Sequence, residues 1–130
     1  MTEFKRLYEA AMKQKDLNVQ AAVGRMKVLV ETARHTLYWA LAEAAATPED
    51  SHWTPAIAVA KHAVTENALE LSQAALRITG GAGYTLEGRF ERDVRDFHAL
   101  LAGAGAQDIL EVDLGANAIS RRDRDRKFDE

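Results

Sequence analysis

The chain has 130 residues, 47% of them hydrophobic and 28% charged, and contains no cysteine. Its length suits one domain, and its apolar share excludes an intrinsically disordered chain. Without cysteine there is no disulfide framework, no thiolate zinc site and no cysteine nucleophile. A net charge of −3 argues against nucleic acid as the main partner. No apolar run approaches the roughly 20 residues of a membrane span, and the N-terminus lacks a signal-peptide core, so a cytoplasmic protein without membrane contact is expected.

Between Met1 and Ala46 there is no proline and one glycine, Gly24. Phe4, Leu7, Tyr8, Ala11 and Met12 predict a short helix. A join near residues 15–18 then leads into a long amphipathic helix carrying Val19, Val23, Met26, Val30, Ala33, Leu37, Leu41 and Ala44. The stretch 47–55 holds both prolines and breaks the pattern. Thr54-Pro55 reads as an N-cap followed by proline at the first helical position, opening a helix to about Ile78. Gly80 and Gly81 stop it, because glycine takes positive φ without steric penalty. The charged segment from Glu87 to Asp96 reads as ion pairs pinning a non-helical connection, with direct catalysis by its carboxylates and arginines as the alternative. Gly103 and Gly105 mark a further turn. A last helix from about Ala106 to Arg121 is expected to bury Ile109, Val112, Ala116 and Ile119, which trace one face. No run alternates as a strand would. The fold class is all-α, an up-and-down helical bundle over residues 1–120, with a charged tail over 121–130.

Few local patterns carry chemistry. None of the four histidines lies in an HExxH motif, and none has a second histidine four residues away. Glu31–His35 and His62–Glu66 are helical neighbours. They read as structural or surface pairs, or as half of a metal site that would need a second helix. The tail interleaves five basic with four acidic residues and reads as a solvated helix extension or frayed terminus, with a phosphate-docking arm as the alternative. Gly80-Gly81-Ala82-Gly83 is no P-loop, since no Gly-Lys-Ser/Thr follows. Its glycines either cap a helix or expose backbone amides that a phosphate can approach.

The order of these pieces closely resembles the C-terminal helical domain of the acyl-CoA dehydrogenases. Residues 75–85 (ALRITGGAGYT) match that family's QxxGGxGYT, and residues 90–96 (FERDVRD) match its ERxxRD. Gly103-Ala104-Gly105 falls at the turn before the last helix, as in isovaleryl-type members. Gln20 and Met26 fall where the family opens its long helix, so the resemblance covers nearly the whole chain.

The resemblance implies an antiparallel four-helix bundle at the centre of an oligomer, with its first helix truncated. It also implies contact with the diphosphate of FAD, shared with another chain or domain. Gly80 and Gly81 become FAD-contact positions, with Arg77 where the family has glutamine. Arg6 aligns with a further diphosphate-binding arginine, although Glu9 and Ala10 replace the family's Phe-Gly. Ala104 occupies the usual position of the catalytic glutamate, and alanine accepts no proton. The flavin- and acyl-binding domains that precede this one in the family are not part of the sequence. The chain is therefore expected not to dehydrogenate acyl-CoA alone, but to work as a homo-oligomer or with a chain carrying those domains. A non-catalytic helical scaffold derived from the same fold is the alternative, and a flavin monooxygenase relative a third reading. An exposed apolar patch left by a missing helix supports dependence on a partner.

Overall fold

A computed structural model of the chain describes Lys5, Glu9 and residues 17–46, 54–80, 89–103 and 106–126, with side chains of the last segment described through Arg121. The described residues form four helices and no strand: α1 (Leu17–Ala46), α2 (Pro55–Thr79), α3 (Arg89–Ala102) and α4 (Gln107–Arg126). Lys5 and Glu9 are helical, with their charged groups 4.0 Å apart. The rest of the expected first helix and residues 15 and 16 of the expected join lie outside the described residues, while Leu17 and Asn18 already belong to α1.

The central helix is α2, which packs against each of the other three. Its start follows from two residues. Thr54 is extended (φ −114°, ψ 140°), and its Oγ1 accepts a hydrogen bond from the Ile57 amide at 3.3 Å. Pro55 then brings a preset φ and no amide that would lack a partner. Asn67 Nδ2 donates to the Leu29 carbonyl at 3.3 Å, and Arg25 Nε donates to Glu70 Oε1 at 2.8 Å. Ala40 packs with Ala56 and Ala60. These pairings run in opposite directions along the two chains, so α1 and α2 are antiparallel. Near Ala40 they meet through methyl groups alone, which permits close approach of the backbones. At the other end, Met26 is only 1% exposed and fills the space with a long side chain.

Three sequence expectations are corrected. Residues 89–96 are helical, forming the first two turns of α3 rather than a non-helical connection. Their charges do pair, Arg89 with Asp93 at 3.5 Å and Arg95 with Glu91 at 2.9 Å, but at the i,i+4 spacing that supports a helix. In α1, Leu37 and Leu41 are exposed, and the core side carries Met26, Leu29 and Ala40. In α4, Ile109, Val112, Ala116 and Ile119 all face solvent. The helix instead turns Gln107 and Leu110 inward, with Leu114 half-buried. Helical periodicity identified an apolar face correctly but not what covers it. The last helix also runs on through Arg126, so the first part of the charged tail extends α4.

Candidate functional site

Arg77 and Gly80 close α2. Arg77 stands in the last turn, where a cation complements the helix dipole. The Gly80 amide donates back to the Arg77 carbonyl, and Thr79 Oγ1 donates to the Leu76 carbonyl at 2.8 Å. Gly80 has φ 61° and ψ −147°, a conformation open essentially to glycine alone. Nothing lies within 4 Å of where its Cβ would be, so backbone conformation rather than crowding demands glycine.

Both residues are exposed, and the Arg77 guanidinium has no ion-pair partner among the described residues. An unpaired arginine fork beside open, side-chain-free backbone suits a diphosphate. The Gly80 amide itself is taken by Arg77, so donors for an anion at this helix end must come from the guanidinium and the chain beyond Gly80. Gly81, Arg6 and Ala104 lie outside the described residues.

The supports of the turn holding Ala104 are described. Gly103 N donates to the Ala99 carbonyl at 3.0 Å, finishing α3. Lys61 Nζ reaches the Leu100 carbonyl at 3.1 Å and Gln107 Oε1 at 3.2 Å. Gln107 Nε2 donates to the His62 carbonyl at 3.1 Å and to Glu66 Oε1 at 3.2 Å. His62 Nε2 meets Glu111 Oε1 at 2.8 Å. Lys61 thus ties the end of α3, and the buried Gln107 amide the start of α4, to the middle of α2. No local sequence signal marks this cluster, because its members stand 39 to 49 residues apart.

The histidine pairs resolve differently. His62 pairs with Glu111 rather than Glu66, and His35 Nδ1 contacts the Glu31 carbonyl, 2.7 Å away, not its carboxylate. His98 Nδ1 contacts the Val94 carbonyl at 2.8 Å. His52 lies outside the described residues. Among the described residues no three His, Cys, Asp or Glu side chains gather as a metal site would require, and no helix is long and apolar enough to cross a membrane.

A second feature escaped the sequence reading. An apolar groove of about 360 Å³ opens where α1, α2 and α3 converge, with Met26, Leu71, Phe90 and Phe97 in its walls. Ser72 also lines it, but its hydroxyl donates to the Leu69 carbonyl at 2.8 Å. Asp93, the one charged residue in the lining, is paired with Arg89. The groove accepts apolar groups and offers no reactive one. Phe90 and Phe97, seven residues apart on α3, are the signal that would have found it.

A family model described as "Acyl-CoA dehydrogenase, C-terminal domain" matches residues 9–119. No curated protein and no solved structure matches the chain.

Proposed function

The chain belongs to the acyl-CoA dehydrogenase C-terminal domain family, and from that premise we propose that it is the C-terminal domain or split subunit of a flavin-dependent acyl-CoA dehydrogenase. In the holoenzyme it completes the FAD site and the oligomer core for α,β-dehydrogenation of acyl-CoA thioesters. The observation that carries this reading is the exposed Arg77 fork beside the open, positive-φ Gly80. FAD, when bound, supplies the acceptor for the hydride that leaves the substrate β-carbon.

Arg77 pairs with the diphosphate, and Gly80 leaves the approach free of a side chain. Gly81 extends that approach, and Arg6 contributes a second positive charge. Lys61 and Gln107 hold the turn of Ala104 in place from α2. Since Ala104 has no proton acceptor, the base that removes the substrate α-proton comes from another segment or another chain. The partner is a second copy or a chain carrying the N-terminal dehydrogenase domains. The alternative, a non-catalytic helical scaffold, is favoured by Ala104 and Ala106 at the family's glutamate and threonine positions and by Glu9 and Ala10 in place of its Phe-Gly.

The test is to purify the protein with whatever accompanies it, then record its visible spectrum and intact masses. Flavin absorbance near ~450 nm supports the reading, and Gly81→Glu is expected to weaken flavin retention in a reconstituted complex. A colourless oligomer that takes up no added FAD refutes it and leaves the scaffold.

A further inference from the structure

The groove between α1, α2 and α3 has the size of a small-molecule site: its volume of about 360 Å³ falls within the roughly 300–1,000 Å³ usual for such sites. Of its lining, Met26 and Ala75 are buried while Leu71, Phe90 and Phe97 are half-buried, so the apolar surface runs from the interior to the mouth. Apolar walls alone select little. The selection lies in the few polar atoms among them.

Two polar side chains of the described residues line the groove, Ser72 and Asp93. The Ser72 proton is committed to the Leu69 carbonyl at 2.8 Å, which leaves that oxygen its lone pairs. Asp93 accepts no hydrogen bond from any described residue. Its ion-pair partner, Arg89, stands 3.5 Å away, and the Arg89 side chain is 68% exposed. A contact of that length is no hydrogen bond, and an exposed pair of this kind contributes little and gives way to a better donor. Among the described residues the lining thus offers acceptors and no donor. An anion finds nothing there to bond, whereas an ammonium brings three donors and no acceptor. The two phenyl rings act in the same sense, since aromatic rings attract organic cations and aliphatic walls do not.

We propose that this groove is a binding site for a small organic cation, an ammonium carried on an apolar chain or ring. The apolar body fills the space between Met26, Leu71 and the two phenylalanines, and the ammonium pairs with Asp93. Arg89, one turn earlier on α3, competes for the same carboxylate and lowers the affinity. The inference goes beyond the function proposed above and is independent of flavin.

The experiment titrates the full chain with phenethylammonium, phenethyl alcohol and phenylacetate, three probes of similar shape and different charge, followed by NMR of the methyl groups. Saturable shifts at the Met26 and Leu71 methyl groups are expected to locate the site. Phenethylammonium is expected to bind about two- to five-fold tighter than the alcohol, the range of an accessible ion pair, with phenylacetate weakest. Asp93→Asn is expected to bring the ammonium down to the level of the alcohol and to leave the alcohol unchanged. Arg89→Gln releases Asp93 from its competitor and is expected to tighten the ammonium alone. Ala68→Phe fills the groove and is expected to abolish binding of all three with undiminished helical circular dichroism; the Asp93 and Arg89 comparisons do not depend on that variant folding. Absence of saturable binding overturns the proposal, as do shifts confined to methyl groups outside the groove. An ammonium no tighter than the alcohol overturns it too, and so does a preference for the ammonium that survives Asp93→Asn.

Discussion

Replacing Gln107 by leucine removes three hydrogen bonds from a position only 8% exposed. The bond to the His62 carbonyl is between neutral groups and contributes about 0.5–1.5 kcal/mol net, while the bonds to Lys61 and Glu66 involve charges and contribute about 1.5–3 kcal/mol each. The full sum overstates the loss. Lys61 keeps the Leu100 carbonyl, and both charged side chains are accessible enough to regain water. Leucine also restores apolar contact of similar volume. The His62 carbonyl loses its side-chain amide donor in a partly buried place and keeps the Thr65 hydroxyl at 3.0 Å. We therefore expect a net destabilisation of about 2 kcal/mol, which lowers the melting temperature of a domain this size by roughly 6–10 °C. Thermal unfolding by circular dichroism measures it, and hydrogen exchange should localise the loosening to the start of α4. A Gln107→Leu variant that melts within about 2 °C of wild type would refute the idea that this amide ties the start of α4 to α2.

The alanine contact between α1 and α2 gives a second prediction. Ala40 has no exposed surface and packs with Ala56 and Ala60, so Ala40→Leu forces the helices apart and should destabilise by about 1–3 kcal/mol, read from the urea midpoint. A third concerns acid. Glu31 is held below its usual carboxyl pKa first by the hydrogen bond from Lys27, with the Arg34 and His35 charges adding to it and partial burial opposing. A depressed folded pKa stabilises above the unfolded carboxyl value and stops doing so as pH falls through the folded value. The gap in melting temperature between wild type and Glu31→Gln should thus be present at neutral pH and close in strong acid. A gap that widens with acid would contradict this assignment.

Legibility in the sequence followed the range of each interaction. The limits of α2 were readable because Thr54, Pro55 and Gly80 act on their own backbone, and Arg77 lies within one turn of that glycine. The helical state of residues 89–96 was hidden by charge: Arg89, Glu91, Asp93 and Arg95 look like a solvated loop until their i,i+4 pairing is seen. In α4 the period of the apolar residues was correct, yet Gln107, Leu110 and Leu114 share a second helical stripe that competes for the same neighbour. The rule that apolar means inward chose the wrong one. The cluster joining Lys61, His62, Glu66, Gln107 and Glu111 had no local trace at all, since only folding brings those residues together. Of the cofactor-contact positions, Arg77 and Gly80 could be placed in three dimensions, while the family pattern alone suggests Gly81 and Arg6.

The antiparallel pair α1–α2 works as a pair of tweezers. Its arms are pinned by alanine methyl groups at Ala40, Ala56 and Ala60. At the tips, beside Met26, lies the apolar groove. About 21 Å of stiff helix separates Ala40 from Met26 along α1, so a small change of angle at the pinned end becomes a larger change of width at the tips. The width of the groove therefore depends in part on residues that do not line it, together with the Arg25–Glu70 and Asn67–Leu29 bonds that join the two arms near Met26. A methylene added at the alanine seam would be felt by an apolar guest between Phe90 and Phe97.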